Sequence, residues 1–176
     1  MFIRSSFRAD LHDCFSLDSA YETACVWQLD QREDEADIVV SLRRVRLPRP
    51  MRVRYPPMGW ELLSRWEQGG CVLVAEVDGK TRGCVDMSVH GDEKLGWVHN
   101  LIVDRAFRRL GLGTALLEEA RRWGHQRSVR RIMLALQSKN DPAIEFCTQL
   151  GFGFCGYSDR YFANRDIALF FAGSGQ

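Results

Sequence analysis

The first stretch able to do chemistry is "RRLGLGTALLEEARRW", Arg108 to Trp123. Two arginines run into Gly111 and Gly113, and a helical pattern begins there. Its opening residues carry nothing that attacks a substrate or ligates a metal; what they offer is a seat for an anion. The first amides of a helix lack intrahelical acceptors and lie at the positive end of the macrodipole. Glycines let a phosphate approach the backbone and let the turn take angles that other residues resist. Arg108 and Arg109 add charge and donors at the rim. Gly111 and Gly113 at the helix start, with Arg108 and Arg109 at the rim, thus form a candidate cradle for a polyanion, with a pyrophosphate as its natural occupant. The full Walker loop pattern does not occur, and Leu116 stands where a dinucleotide fingerprint has its third glycine.

The elements that must hold this turn follow from periodicity. "CVLVAEVDGKTRGCVDMSV" (Cys71 to Val89) sets Asp78-Gly79 between two apolar runs, a hairpin signal because that pair accepts positive φ. "LGWVHNLIV" (Leu95 to Val103) reads as the next strand. A helix then runs from about Gly111 to Gln126, with Leu112, Leu116, Ala120 and Trp123 on one face. "RIMLAL" (Arg131 to Leu136) is a buried strand. "DPAIEFCTQLG" (Asp141 to Gly151) is a short helix with Pro142 in its first turn and Gly151 as its stop, and "FGFCGY" and "NRDIALFF" are final strands. Nearer the start, "YETACVWQL" and "ADIVVSLRRVRL" read as strands separated by an exposed acidic turn. "MGWELLSRWEQGG" reads as a short helix with Trp60, Leu63 and Trp66 at helical spacing. Strands that are first antiparallel and then joined through a helix predict a mixed α/β sheet.

A chain of 176 residues with 45% hydrophobic content suits one domain, and no linker or repeat divides it. The net charge of +1 argues against a generally nucleic-acid-binding or membrane-coating surface. Cys14, Cys25, Cys71, Cys84, Cys147 and Cys155 include no C-x-x-C pair and no zinc spacing, so reduced thiols and no metal are expected. No apolar run approaches the roughly 18 residues of a membrane span, and the amino terminus lacks a signal-peptide core; a cytoplasmic protein with no membrane partner is the expectation. "LRRVRLPRPMRVRYPP" carries six arginines and no acid. With no nucleic-acid motif around it, it reads as an arginine-lined edge strand partly paired with the acidic turn at Asp30 to Asp37. From Arg105 to Arg131, eight arginines face two glutamates; Arg121, Arg122, Arg127, Arg130 and Arg131 read as a solvated outer helix face.

Together, "VHNLIVDRAFRRLGLGTALLEEA" and "NDPAIEFCTQLGF" resemble the GNAT family of N-acetyltransferases, whose pattern is Arg/Gln-x-x-Gly-x-Gly/Ala after a strand, then an asparagine and a short helix ending in Gly-Phe. The resemblance is close from Trp97 to Phe152. The terminal "GYSDRYFANRDIALFFA" is similar to the end of streptothricin-type acetyltransferases. The resemblance implies a single-domain α/β (α+β) fold: a mixed, twisted sheet of about seven strands flanked by helices, split between the parallel strands Leu95 to Val103 and Arg131 to Leu136. It divides residues 1–176 into an acceptor-side segment (1–70), an acetyl-coenzyme A core (71–156) and a terminal strand (157–176). It implies acetyl-CoA as co-substrate, with backbone contacts to pantetheine at Leu101, Ile102 and Val103. The pyrophosphate falls to Arg108 through Thr114, and Asn140 contacts the cofactor's arm. An arm with two amides pairs with a strand edge as an added strand does, and a bulge opens that edge.

Direct transfer to an amine needs a group to take the amine's proton, donors for the oxyanion and a proton for the departing thiolate. A strand-edge N–H, that of Leu101 or Ile102, meets the oxyanion. His99, in the cofactor strand and with an ordinary pKa near neutrality, is the first candidate base; a packed, hydrogen-bonded histidine is the rival reading. Asp86 on the neighbouring strand is a second candidate, acting through water. Where many family members place a tyrosine as acid, this chain has Cys147, which either donates a proton or packs in the core. Tyr157 and Tyr161 are further donors if the terminal strands fold over the cleft. The resulting reading is an acetyltransferase acting on a primary amine of a small molecule or peptide, with no nucleic acid as partner. A non-catalytic acyl-CoA sensor or assembly subunit is the alternative. Proteins of this kind pair through terminal strands, so a homodimer is an open expectation.

Overall fold

The computed structural model describes residues 1–55, 58–91 and 93–175; Pro56 and Pro57, at the end of the arginine-rich stretch, lie outside them. The elements run β1 (Phe2–Ser5), α1 (Arg8–Ser16), β2 (Tyr21–Glu33), β3 (Ile38–Val53), α2 (Glu61–Glu67), β4 (Cys71–Val77), β5 (Lys80–His90) and β6 (Leu95–Val103). After a 3-10 turn at Arg105–Phe107 come α3 (Leu112–His125), β7 (Arg131–Gln137), α4 (Asp141–Gln149), β8 (Gly153–Ser158) and β9 (Ala168–Ser174). Hydrogen bonding orders seven strands as β1-β4-β5-β6-β7-β9-β8 and pairs β2 with β3 separately. The pairs among β1, β4, β5 and β6 are antiparallel and β6 with β7 is parallel, which is the mixed sheet the sequence predicts.

The residues gather into two compact units. The first comprises Met1–Ala20, Arg54–Leu134 and Ala172–Gln176. Its hairpin between β4 and β5 turns at Asp78 (φ 51°) and Gly79 (φ 70°), the positive angles expected of that pair. One sheet face is covered by α1 and α2 through Leu11, Cys14, Leu62, Val72, Val74, Cys84 and Ile102, with Trp66 at the margin. Burial pushes the Cys71 thiol up to about 12, so it stays protonated. α3 covers the opposite face with Leu112, Leu116, Leu117 and Ala120. It comes close because Gly83 has no side chain: a Cβ there would lie 3.1 Å from Leu116 Cδ1 and 3.1 Å from the Ile102 carbonyl oxygen.

The second unit comprises Tyr21–Val53 and Ala135–Phe171. β2 and β3 form a long ribbon whose register jumps from Thr23↔Met51 to Cys25↔Arg46, so that 47–50, "LPRP", bulge out of β3. Two prolines that cannot donate to a ladder account for this. The ribbon is tied to α4: Trp27 Nε1 donates to Asp141 Oδ1 at 3.0 Å, and the Arg44 guanidinium donates to both Asp141 oxygens at 2.8 and 2.7 Å and to Glu145 at 2.5 Å. Asp166 collects Gln137 Nε2 (2.7 Å), Asn164 Nδ2 (2.7 Å) and Lys139 Nζ (2.6 Å), and Tyr21 donates its hydroxyl to Gln137 Oε1 at 2.8 Å.

Several expectations shift. Trp60 is 75% exposed because it is the residue before the first turn of α2, and Leu62 takes the fully buried place. The acidic turn shrinks to Asp34–Asp37, closed by reciprocal backbone bonds, while β2 continues to Glu33. The arginine-rich strand is anchored by Arg44 to α4 rather than to that turn, and Asp30 pairs with Arg32. The last strand begins at Ala168, because Asn164 and Asp166 are held in the loop by the bonds just described. β1 and α1 had no periodic signal strong enough to be read.

Candidate active site

The parallel pairing of β6 with β7 runs from Leu95↔Arg131 to Val98↔Leu134. On its other edge β6 pairs with β5, where Met87 faces Val98 and Asp86 faces Asn100, leaving His99 as the extra residue of a bulge. The bulge and the end of the parallel pairing therefore fall at the same point. Beyond it β6 continues to Val103 against β5, with Leu101 opposite Val85 and Ile102 opposite Cys84. This is the opened strand edge that the sequence resemblance implies.

Strand β6 delivers the chain into the glycine turn. Arg108 N donates to Arg105 O at 3.4 Å and Ala115 N to Gly111 O at 3.0 Å. Between them the amides of residues 109–114 have no protein acceptor among the described residues. Arg109 (φ 64°) and Gly111 (φ 84°) both take left-handed angles on either side of Leu110, the alternation that makes a run of amides converge on an anion. Gly111 is the N-cap of α3, with no side chain filling the space. A run of unpaired donors at the start of a helix of 14 residues fits a diphosphate group.

Arg108 does something other than expected. Its Nε donates to Val103 O at 2.8 Å, and its two terminal nitrogens donate to Ala20 O at 2.6 Å and Asp18 O at 2.5 Å. All three partners are main-chain carbonyls, and burial pulls its pKa below the ordinary guanidinium value. Arg108 clasps the turn to the end of β6, and the exposed Arg109 is left as the rim cation. The clasp occupies the outward-facing Val103 carbonyl, and Ile102 shares the β5-bonded side of Asp104, whose N–H donates to Arg82 O at 2.8 Å, so that Leu101 is the backbone position of this stretch left facing the other edge. On the outer face of α3, Arg122 pairs with Glu119 at 2.5 Å, and Trp123, expected on the apolar face, is only half-buried and carries Arg127 stacked at 3.8 Å, Gly124 being the buried residue of that turn.

Around the bulge, side chains that a regular strand would send to opposite faces reach the same one. His99 Nε2 lies 2.8 Å from Ser88 Oγ, and Asn100 Nδ2 donates to Asp86 Oδ2 at 3.0 Å. Ser88 and Asp86 are two apart on β5 and share a face. Asp86 is fully buried, and Arg65 of α2 grips both its oxygens, with Nε at 3.0 and 2.9 Å and a terminal nitrogen at 2.5 Å. Arg65 and Asn100 together donate to both carboxylate oxygens, so that Asp86 ties α2 to the bulge. His99 is lowered to about 4, first by burial and then by repulsion from Arg65; the attraction of Asp86 only partly offsets these, and His90 adds a smaller repulsion. The imidazole is thus neutral through the physiological range. Arg65, Ser88 and Asn100 were not singled out from the sequence. Asn100 adjoins His99 and could have been; Arg65 is brought in only by the packing of α2.

In the second unit, Asn140 caps α4 by accepting from Ala143 N at 3.2 Å, and its side-chain nitrogen has no protein acceptor among the described residues. Cys147 lies on the buried side of the same helix at 2% exposure. Tyr157 is half-buried. Tyr161 is packed edge-on against Phe162 and Phe170, where burial raises its hydroxyl pKa. Among the described residues no cluster of three His, Cys, Asp or Glu is placed to hold a metal, and no helix is long and apolar enough to cross a membrane.

Comparison with known proteins places this geometry. An uncharacterised N-acetyltransferase of Methanocaldococcus jannaschii is 35% identical over 96 residues, which is 52% of this chain and 42% of that protein; the chain thus spans less than half the length of that relative. Nourseothricin acetyltransferase shares the fold over 99% of this chain and 98% of its own, with a TM-score of 0.85 at 23% identity. A protein described as a streptothricin acetyltransferase from Bacillus anthracis str. Ames, in complex with acetyl coenzyme A, shares it over 98% of both chains, with a TM-score of 0.76 at 18% identity. The model of the acetyltransferase (GNAT) family matches residues 39–152, which include the bulged strand, the glycine turn and α4. The chain belongs to the acetyltransferase (GNAT) family.

Proposed function

We propose that this chain transfers an acetyl group from acetyl coenzyme A to a primary amine of a small molecule or peptide by direct attack. The observation that carries the reading is the run of amides from Arg109 to Thr114, which have no protein acceptor among the described residues, placed directly after a strand whose edge opens at His99. The amides and Arg109 hold the diphosphate, and Leu101 offers its backbone groups to the pantetheine arm. Bound acetyl coenzyme A supplies the acyl group as an activated thioester. The Leu101 N–H stabilises negative charge on the carbonyl oxygen. His99, neutral and paired with Ser88, accepts the proton of the amine. Its lowered basicity suffices, because an amine that has begun to form a C–N bond is far more acidic than free ammonium. The acceptor stays at the level of a primary amine. Six cysteines with no disulfide among the described residues fit a reducing compartment, and we propose the cytoplasm on that ground.

A thiol-release assay with acetyl coenzyme A across a panel of amines and peptides tests the reading. One reactive amine supports it. Tight cofactor binding with no release for any amine overturns it in favour of a sensor that binds acyl-CoA without turnover. The thiol of Cys147 is packed beneath α4, and a thiolate can leave unassisted, so Cys147→Ser is expected to keep turnover within about threefold, well below the roughly hundredfold loss that goes with removing an acid catalyst. A hundredfold fall at unchanged cofactor affinity would instead make the thiol the acid.

A further inference from the structure

We infer that the β2–β3 ribbon is a self-association surface that pairs with the same ribbon of a second copy of this chain. Register assigns its faces. Trp27 and Arg44, an opposed pair, meet Asp141 of α4. Following the same face outward, the opposed pairs are Leu29 with Leu42, Gln31 with Val40, and Glu33 with Ile38. This apolar line passes beyond α4 and becomes bare: Val40 is 38% exposed and Ile38 72%, and every residue from 31 to 40 is exposed. The β2 edge is held at Trp27, whose N–H donates to Ser138 O at 2.8 Å, while β3 pairs only with β2 among the described residues. A two-stranded ribbon is marginally stable in water, and an uncovered apolar face beside an open edge calls for a partner.

The charges say which partner. Asp30, Glu33, Asp34, Glu35 and Asp37 crowd the tip against a single Arg32, while Arg43, Arg46 and Arg49 on the shank have no ion pair or hydrogen bond among the described residues. A partner of one sign would match only one end. An antiparallel copy matches both. With a two-fold axis at Val40 relating two antiparallel β3 edges, Asp37 lies as far to one side as Arg43 lies to the other, so each acidic tip meets the other ribbon's basic shank, while Val40 meets its own copy and Ile38 meets Leu42 of the second copy. Such isologous contacts close on themselves and give a dimer. The terminal-strand pairing expected from the resemblance uses a different surface.

Sedimentation velocity of the full chain at micromolar concentrations tests this, and so do two charge-reversed variants. Glu35→Arg with Asp37→Arg makes the ribbon basic on balance, and Arg43→Glu with Arg46→Glu makes it acidic on balance. The wild type is expected to sediment as a dimer. Each variant alone is expected to be monomeric, its dissociation constant raised at least about a hundredfold by like charges, and an equimolar mixture to regain the dimer. Circular dichroism and cofactor binding check that each variant is folded; Val40→Lys is a single-site variant expected to be monomeric as well. A monomeric wild type, variants that remain dimeric, or a mixture that stays monomeric would each overturn the proposal.

Discussion

Replacing Asp86 with alanine is expected to destabilise the chain by roughly 3–5 kcal/mol, the cost of stranding one member of a buried ion pair. For a chain of this size that lowers the thermal midpoint by roughly 6–20 °C. Asp86 is fully buried, and the Arg65 side chain that grips it is 19% exposed, so removing the carboxylate leaves a guanidinium with little water to turn to. Asn100 loses its acceptor in the same step. Removing both charges, with Asp86→Leu and Arg65→Leu together, is expected to cost less than the single change, because no unpaired charge is left behind. Chemical denaturation of the two variants checks this. If Asp86→Ala stays within about 1 kcal/mol of the parent, the clamp between α2 and the bulge does not have the weight given to it here.

His99→Gln is expected to lower turnover at least about a hundredfold while acetyl coenzyme A binding persists, since removing a positioned base costs that much or more. The same residue shapes pH dependence. Its pKa in the fold, about 4, lies below the unfolded value near 6.5, so the unfolded chain binds the proton more readily. The stability that comes from burying the neutral ring is complete above about pH 6.5 and is lost as pH falls towards 4. Imidazole resonances followed by NMR are expected to titrate near 4, and Arg65→Gln is expected to move that midpoint upward by removing the nearer cation, provided Asp86 stays buried. A midpoint at the ordinary value, or unchanged turnover in His99→Gln with a working acceptor, would remove the histidine from the chemistry.

What could be read from the letters divides by the range of the interactions concerned. β6 was bounded correctly from Leu95 to Val103, and α3 to within a residue at each end, because periodicity and the glycine stop signals are local. Asp78-Gly79 announced its hairpin for the same reason. The bulge at His99 has no letter of its own: it arises where β5 register and the end of the β7 pairing coincide, and only the resemblance hinted at it. Arg108 shows the limit best. An arginine before a glycine turn reads as a phosphate ligand, yet three carbonyls from Asp18, Ala20 and Val103 converge on it, two of them some ninety positions away in sequence. Arg65 and Asp86 were invisible as a pair, since nothing in "LLSRWEQ" tells which strand α2 will meet. The ribbon's anchoring through Arg44 was hidden likewise by a separation of 97 residues.

The central claim is that the amides from Arg109 to Thr114 hold the diphosphate of coenzyme A. Calorimetric titration of the wild-type chain with acetyl coenzyme A and with S-acetylpantetheine, which keeps the thioester and the amide arm but lacks the diphosphate, tests it most directly. Tight binding of the first and at least about a hundredfold weaker binding of the second is the expected result, because charge-assisted bonds to the amides contribute about 1.5–3 kcal/mol each. Equal affinity for the two compounds, or no heat with acetyl coenzyme A, would contradict it.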